Sequence, residues 1–311
     1  MVNESPILMK VGTTMRNQKV LHYDAFSSVA NKGNPAGVVL NADHLSEECM
    51  QSIAKAVGFN ETVFVVSSDR ADYRLRYFTP GHEINLCGHA TVGSMYCMKS
   101  KGIINDNKNE VTIETNVGIL PIRFETREND LFVTMKQDQP QFVPFQGSTD
   151  ALARSMGITS DEIDHTLPIV YGSTGTWTLL VPIKSLHSYG KMNPNNNEFP
   201  NILLEKPRTS VHPFTVQHIE DRVEMYARHF SSPYSGTVED AVTGTASGVM
   251  GAYYLTYLNS GMDSIQFTVK QGQEIDKDGT VYVSVNRTPH GMDVYVSGTG
   301  VFVQELDVMY E

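Results

Sequence analysis

Apolar and polar positions alternate along much of the chain, which predicts a protein rich in short strands. The stretch at 73–78, YRLRYF, places an apolar side chain at nearly every second position, and 20–26, VLHYDAF, is similarly strand-like. The run at 62–66, TVFVV, is rich in β-branched residues. Further strand-like segments lie at 111–115, 119–124, 131–135, 168–172, 176–183, 265–270, 279–286 and 292–304.

A smaller number of segments predict helices. Residues 46–57, SEECMQSIAKAV, carry apolar side chains at helical spacing and begin with Ser46 as an N-cap. A shorter helix is expected at 149–157. Two further segments, 87–102 (CGHATVGSMYCMKSKG) and 243–261 (TGTASGVMGAYYLTYLNSG), have small residues in their first turns and bulky apolar residues afterwards. That composition predicts buried helices with small side chains at their N-termini, where other groups come close to the helix backbone.

The two buried helices lie in halves with a similar order of strands, which predicts a duplicated fold. A chain of 311 residues also exceeds the usual size of one hydrophobic core. The candidate junction is 136–149, KQDQPQFVPFQGST, with two prolines and little periodicity. We expect an α+β fold with a flexible extension at 1–17. The predicted halves are 18–140 with a central helix at 88–101, and 141–311 with a central helix at 244–259, whose C-terminal end packs back on the first half.

Composition narrows the classes of partner. The formal net charge is −11 and no cluster of lysine and arginine is present, so nucleic acid and acidic membrane surfaces are not expected partners. No apolar run approaches the roughly 18 residues of a membrane span, and the N-terminus lacks the apolar stretch of a secretory signal. Three cysteines without a CxxC pair argue against a disulfide scaffold or a zinc knuckle and fit a reducing compartment. A soluble, cytoplasmic protein without metal is the expectation.

The starts of the two buried helices are the candidate binding positions. Unpaired backbone N–H groups at a helix N-terminus suit a carboxylate, and Gly88 and Gly244 would let a ligand approach the main chain. The alternative is that these glycines only allow tight helix packing.

Polar side chains near these starts are the candidate chemistry. Cys87 and His89 lie at the first helix start, and Glu61 precedes a strand. At the second helix start, three polar residues belong to one run, namely Asp240, Thr243 and Thr245. Two carboxylates and an imidazole around an anion site suit proton transfer at carbon. Taken singly, Glu61 could be a solvated strand residue, Asp240 an N-cap and Cys87 a small core residue.

The combination of motifs resembles the phenazine-biosynthesis (PhzF-like) family over residues 19–303. The matching strings are Asp24-Ala25-Phe26, Gly33-Asn34-Pro35-Ala36-Gly37-Val38, Asn60-Glu61-Thr62, Phe78-Thr79-Pro80, Leu86-Cys87-Gly88-His89-Ala90-Thr91 and Glu239-Asp240-Ala241-Val242-Thr243-Gly244-Thr245. The resemblance implies a diaminopimelate epimerase-like fold, in which each half wraps a β-barrel-like sheet around a central helix. It also implies an isomerase that needs no cofactor, and a homodimer.

By this resemblance the site residues take specific roles on a small carboxylic-acid substrate. Glu61 matches the acid/base glutamate that moves a proton between carbons, and His89 and Asp240 match residues that assist it. The positions that hold the substrate carboxylate are Gly88, Gly244 and Thr245.

The sequence departs from the family pattern at several positions. Ala241 replaces the usual proline and Thr245 a frequent serine, while residues 274–277 replace a common Gly-Arg-Pro segment beyond Gln271-Gly272. The last change puts the usual carboxylate-neutralising contacts of that region in doubt and leaves the substrate open.

Two rival functions remain. A racemase or epimerase of the related fold would use Cys87, but its partner position is Thr243, whose hydroxyl is a poor base without activation. Cys87 is therefore expected to be a packing residue at the helix start. A small-molecule-binding protein without turnover is the other rival.

Overall fold

The fold is described from a computed structural model that covers residues 15–219 and 222–310. Within these ranges the chain forms a mixed sheet of seventeen strands and five α-helices. The strands up to the predicted junction are β1 (Arg16–Ala25), β2 (Asn34–Val39), β3 (Glu61–Val66), β4 (Tyr73–Phe78), β5 (Glu83–Ile84), β6 (Glu110–Thr115), β7 (Gly118–Arg127) and β8 (Asp130–Lys136). The later strands are β9 (Gln141–Pro144), β10 (Val170–Ser173), β11 (Trp177–Pro182), β12 (Ser210–Ile219), β13 (Arg222–Ala227), β14 (Ser264–Gln271), β15 (Gly279–Thr288), β16 (Gly291–Gly298) and β17 (Gly300–Tyr310). The helices are α1 (Glu47–Val57), α2 (Gly88–Ser100), α3 (Thr149–Ser155), α4 (Phe199–Ile202) and α5 (Gly244–Tyr253).

The pairing of strands repeats between the two halves. In the first half the sheet runs β1-β2-β3-β4-β6-β7-β8, with antiparallel, parallel, antiparallel, parallel and two antiparallel pairings. In the second half β10-β11-β12-β13-β14-β15-β16 follow the same sequence of pairings. The helices α2 and α5 occupy equivalent places, after β4 and β13 respectively. The fold is α+β and sheet-dominated, as predicted.

Three strand pairings connect the halves or extend them. The antiparallel pair of β8 and β16 joins the two half-sheets. The C-terminal strand β17 returns to pair along the whole of β1, while β9 pairs with β10 in the equivalent place of the second half. The chain therefore ends on its own first strand.

The two central helices are buried on nearly all sides. Ten residues of the thirteen-residue α2 and nine of the ten residues of α5 are buried. Their apolar side chains belong to one core cluster that runs through both halves. A helix covered by sheet on every side has no polar face, so small and apolar residues fill its whole circumference.

Some boundaries differ from those predicted from the sequence. β1 already begins at Arg16, within the predicted 1–17 extension, because Arg16 pairs with Tyr310 of β17. The rest of that extension, up to residue 14, lies outside the described residues. The helix expected at 244–259 is α-helical to Tyr253 and continues as a π-turn over Tyr254–Leu258.

The connection between β1 and β2 reaches into the second half of the chain, and we call residues 26–34 the crossing arm. Phe26 adopts a left-handed conformation with φ of 64°, and its N–H donates to Thr299 O at 2.8 Å. Its ring lies against the backbone of Gly298, where any Cβ would come within 2.2 Å of the ring. A residue larger than glycine cannot occupy that position without displacing the arm.

Candidate active site at the starts of the two central helices

The first helix start has free space beside it. Cys87 is the N-cap of α2, and in the described part of the chain its side chain makes no capping hydrogen bond. A Cβ added at Gly88 would meet no described atom within 4 Å, so the protein itself does not fill the space next to the first turn. The first N–H groups of a helix have no partner within the helix, and their positive potential favours an anion. The start of α2 therefore offers an accessible place for a carboxylate.

The second helix start is more tightly packed. Thr243 is the N-cap of α5, and a Cβ at Gly244 would approach the Phe26 ring of the crossing arm to 3.2 Å. Thr245 is half-buried, and its carbonyl accepts a hydrogen bond from Thr174 Oγ1 at 3.2 Å. Packing against Phe26 thus accounts for Gly244, whereas no packing contact of this kind accounts for Gly88.

Glu61, Cys87 and His89 come together at the start of α2. Glu61 is the first residue of β3 and His89 the second residue of α2, and their Oε2 and Nε2 atoms are 3.1 Å apart. Their side chains are only 15% and 9% exposed. Cys87 Sγ lies 3.4 Å from His89 Nδ1. Although it belongs to the apolar core, Cys87 therefore also touches the candidate acid/base pair.

Charge determines which of these groups hold protons. Burial raises the pKa of the Glu61 carboxyl, but the charge of His89 and the close approach of His89 and Cys87 outweigh burial and leave this pKa below the ordinary value. Burial lowers the pKa of the His89 imidazole, yet Cys87 and Glu61 raise it well above its ordinary value. Burial and then Glu61 raise the pKa of the Cys87 thiol. At neutral pH the cluster is a carboxylate, an imidazolium and a neutral thiol.

Glu61 keeps an acceptor without an aligned donor. Its Oε2 is buried and, among the described residues, has no hydrogen bond of proper geometry despite the nearby imidazole. A buried acceptor of this kind is costly unless a ligand, water or proton satisfies it.

The same three residues offer the donor types that bind zinc, and their ligand atoms lie within 4.8 Å of one another. A metal ion requires a deprotonated thiol and a neutral imidazole, however. The pKa values of Cys87 and His89 are both raised, so both groups hold their protons at neutral pH. Metal binding would therefore have to displace a proton from each of these two groups.

Asp240 belongs to a second polar cluster, at the start of α5. Its Oδ2 accepts a hydrogen bond from Thr243 Oγ1 at 2.6 Å, and its Oδ1 accepts one from Asn34 Nδ2 at 2.8 Å. Gln271 Nε2 donates to Thr243 Oγ1 at 3.1 Å and to the Asp240 carbonyl at 2.9 Å. The Thr243 hydroxyl is thus a donor to Asp240, which leaves it unsuited to act as a base.

Comparison with known proteins places the chain in a family. The sequence pattern of the family described as "Phenazine biosynthesis-like protein" matches residues 23–306. A relative in Bacillus subtilis (strain 168), named "Uncharacterized isomerase YfhB", is 49% identical over 93% of this chain and 97% of its own length.

The chain belongs to the phenazine biosynthesis-like (PhzF) family.

Other PhzF relatives and solved structures agree. The "Trans-2,3-dihydro-3-hydroxyanthranilate isomerase" of Pseudomonas aeruginosa (strain PAO1) is 27% identical over 91% of this chain and 96% of its own length. The crystal structure of a Bacillus anthracis PhzF family protein superposes with a TM-score of 0.91, at 51% identity, over 94% of this chain and 99% of that one. The family resemblance seen in the sequence is confirmed, and the two relatives described here both carry isomerase names.

More distant structures share the fold. A hydroxyproline epimerase from Agrobacterium vitis superposes with a TM-score of 0.58 at 13% identity, covering 94% of this chain and 91% of that one. This likeness supports the fold expected from the sequence, in which PhzF proteins and epimerases are related. In the described residues no helix combines the length and apolarity needed to cross a bilayer.

A cleft of about 730 Å³ lies elsewhere, on the outer face of the sheet formed by β7, β13, β14 and β15. Its charged lining includes Arg127, which is already paired with Glu125 at 2.8 Å. The outward residues that line it alternate with core residues such as Val283, and neither helix start opens into it. Size alone does not make this cleft the site of the PhzF reaction.

Sequence reasoning did not assign a role to two residues that contact the second cluster. Asn34 and Gln271 are both fully buried and both donate hydrogen bonds within it. Asn34 belongs to the family string Gly33-Asn34-Pro35 and Gln271 to Gln271-Gly272, but a polar residue beside a glycine is an ordinary turn signal. The burial of these two side chains distinguishes them from turn residues, and only the tertiary structure shows it.

Proposed function

We propose that this chain is a cofactor-independent isomerase that moves a proton between two carbons of a small carboxylic acid. The observation that carries the proposal is the buried Glu61–His89 pair, 3.1 Å apart, beside a helix start with free space. Perturbed ionisable groups at a binding position are typical of catalytic acids and bases. Membership of a family that includes relatives named as isomerases supports the same reaction class.

Binding would begin with the substrate carboxylate at the start of α2. The N–H groups next to Gly88 and the His89 imidazolium both favour a negative charge there. Thr245 and the start of α5 would hold the substrate from the second half.

The chemical step returns the enzyme to its starting state. A C–H bond of the substrate breaks, and its proton joins the Glu61 carboxylate, which is ionised because His89 holds its pKa low. The electron pair moves into the substrate and its carboxyl group, where the imidazolium and the helix N–H groups stabilise the negative charge. Glu61 then releases the proton to a different carbon, and a new C–H bond forms. Asp240 and Thr243 assist by orienting the substrate.

A racemase that uses Cys87 is the second candidate, because Cys87 Sγ contacts His89. The raised pKa of Cys87 makes its thiol a poor nucleophile or base, and the Thr243 hydroxyl already donates a hydrogen bond to Asp240. The raised pKa of Cys87 and the hydrogen bond of Thr243 both favour Glu61 as the proton carrier.

The test is exchange of substrate C–H with solvent deuterium, followed by mass spectrometry over a panel of small carboxylic acids. We expect one acid to take up deuterium with the wild type and about 100-fold more slowly with Glu61→Gln. Glu128→Gln, a change of the same type in the exposed β7–β8 turn, is the matched control. Full exchange in Glu61→Gln would overturn the proposal. Binding without exchange of any acid would favour the non-catalytic alternative.

A further inference from the structure

The crossing arm is held at both ends by the second half of the chain. At its start, Phe26 O accepts a hydrogen bond from Thr280 N at 2.8 Å. At its end, Gly33 N lies 3.2 Å from Lys277 O, and the φ of 71° at Gly33 favours glycine. A Cβ at Gly33 would lie 2.3 Å from Ala25 O. The arm therefore delivers the next residue, Asn34, to a fixed place in the second half.

The orientation of the Asn34 side-chain amide is set by its neighbours. The residue is fully buried, and Nδ2 lies 2.8 Å from Asp240 Oδ1 and 2.9 Å from the Val242 carbonyl. Both neighbours are acceptors, so the NH₂ group and not the carbonyl must point toward them. A carboxylate of the same shape at this position would meet two acceptors with no proton to offer.

Each oxygen of the Asp240 carboxylate is held from a different half. Asn34, from the first half, donates to Oδ1, and Thr243, from the second half, donates to Oδ2. A titratable neighbour is His229, whose carbonyl accepts a hydrogen bond from Asp240 N at 2.9 Å and whose Nδ1 lies 3.0 Å from His212 Nδ1. Burial lowers the pKa of His229, although Asp240 opposes this, so His229 is neutral at neutral pH.

The charged residue that precedes Asp240 is paired with an arginine. Glu239 forms two hydrogen bonds with the Arg228 guanidinium, at 2.9 Å and 2.6 Å. The two hydrogen bonds to the Asp240 carboxylate described above come from neutral side chains, Asn34 on Oδ1 and Thr243 on Oδ2. Asn34 is therefore the donor that fixes Oδ1 from the first half.

Asn34 also lies on the same sheet face as Glu61. Ala36 of β2 pairs with Glu61 of β3 in parallel register, and Asn34 precedes Ala36 by two residues. Side chains two residues apart in a strand point to the same face. Asn34 thus links the pair of strands β2 and β3, which includes Glu61, with the Asp240 carboxylate of the second half.

We propose that Asn34 is a positioning residue of this site, whose amide holds the Asp240 carboxylate in a fixed orientation for the reaction. The role in a reaction rests on the proposed function, but the contact between Asn34 and Asp240 can be tested without turnover.

The experiment is ¹³C NMR spectroscopy of the full chain labelled at the aspartate carboxyl groups, with Asp240→Asn used to assign the Asp240 signal. Asn34→Asp replaces the donor to Asp240 by an acceptor and should shift the Asp240 carboxyl signal. Asn34→Ala removes only the donor and should shift this signal by less. Asn41→Asp makes the same chemical change in an exposed residue beyond the other end of β2 and should leave the Asp240 signal unchanged.

Deuterium exchange separates this inference from the proposed function. If the wild type exchanges deuterium, Asn34→Ala should lower kcat about tenfold or more with KM little changed, when both proteins are measured well below the unfolding temperature of the variant. An Asp240 carboxyl signal that stays the same in both Asn34 variants would overturn the inference, as would a wild-type kcat in Asn34→Ala. If the signal moves but no acid exchanges with any variant, the positioning contact stands and the proposed function fails.

Discussion

His89 Nε2 lies 3.1 Å from Glu61 Oε2, and the two residues reach each other from the start of a helix and the start of a strand. Neither side chain would keep its charge so well shielded from water without the other. This one contact therefore affects both the stability of the fold and the proposed proton transfer.

Removing the carboxylate should lower the pKa of His89. In Glu61→Gln the opposing effect of burial, the largest single influence on this imidazole, is no longer balanced by a nearby carboxylate. We expect the His89 pKa to fall by more than one unit, as measured by NMR titration of the imidazole. Glu128→Gln should leave it unchanged. An unaltered His89 pKa in Glu61→Gln would mean that the ion pair is not formed in solution.

The contribution of the pair to folding should depend on pH in a defined direction. His89 has a raised pKa, so its contribution is complete below the unfolded value near 6.5 and is lost as the pH rises through the folded value. Glu61 has a lowered pKa, so its contribution is complete above the unfolded value near 4.5 and is lost as the pH falls through the folded value.

A double-mutant cycle of Glu61→Gln and His89→Gln measures this contribution by chemical unfolding. The coupling free energy should be largest between about pH 4.5 and 6.5, the two unfolded pKa values. Each single variant should lose about 3 kcal/mol there, because it leaves one charge buried without its partner. A coupling that does not change with pH would contradict the assigned charges.

Cys87 should be unreactive in the folded protein. Its thiol is buried and neutral, whereas Cys49 is half-buried on α1. Iodoacetamide followed by peptide mass spectrometry should therefore modify Cys49 well before Cys87 at pH 8. Cys87→Ala should keep deuterium exchange within about tenfold of the wild type, and a complete loss of exchange would favour the thiol mechanism instead.

The two glycines at the helix starts should respond differently to alanine. Gly88→Ala should change the free energy of unfolding by less than about 0.5 kcal/mol, because the new methyl group meets no described atom within 4 Å. It should weaken binding of the substrate acid about tenfold by occupying the space beside the first turn.

Gly244→Ala is the contrasting change. Its methyl group would approach the Phe26 ring to 3.2 Å, so we expect a loss of about 1–3 kcal/mol in stability from overpacking. Chemical unfolding and isothermal titration with the acid found by deuterium exchange would compare the two variants. Equal effects on binding and stability in both would remove the distinction drawn between the helix starts.

The sequence predicted the main elements because their patterns are local. The starts of α2 and α5 were placed at Gly88 and Gly244, where small residues give way to bulky ones. Short or weakly patterned elements escaped prediction. β9, for example, lies in the proline-containing stretch assigned to the domain junction and forms because β10 offers it a partner.

Residues of the candidate site were identified individually, but their contacts were not. Glu61 and His89 could be singled out because carboxylate and imidazole side chains carry proton chemistry wherever they meet. Nothing local in Gly33-Asn34-Pro35 indicates that Asn34 will be buried against a carboxylate 206 residues away. That contact depends on how the crossing arm docks between β15 and β16.

The sequence by itself determined the strand-rich, duplicated character of the chain, its two central helices and the residue types available at their starts. These follow from periodicity and from side-chain chemistry, which are properties of neighbouring residues. The tertiary structure alone decided that His89 is charged, that Cys87 is neutral and that Asp240 is held from both halves. Such properties depend on burial and on distances between residues far apart in the chain, and no local pattern encodes them.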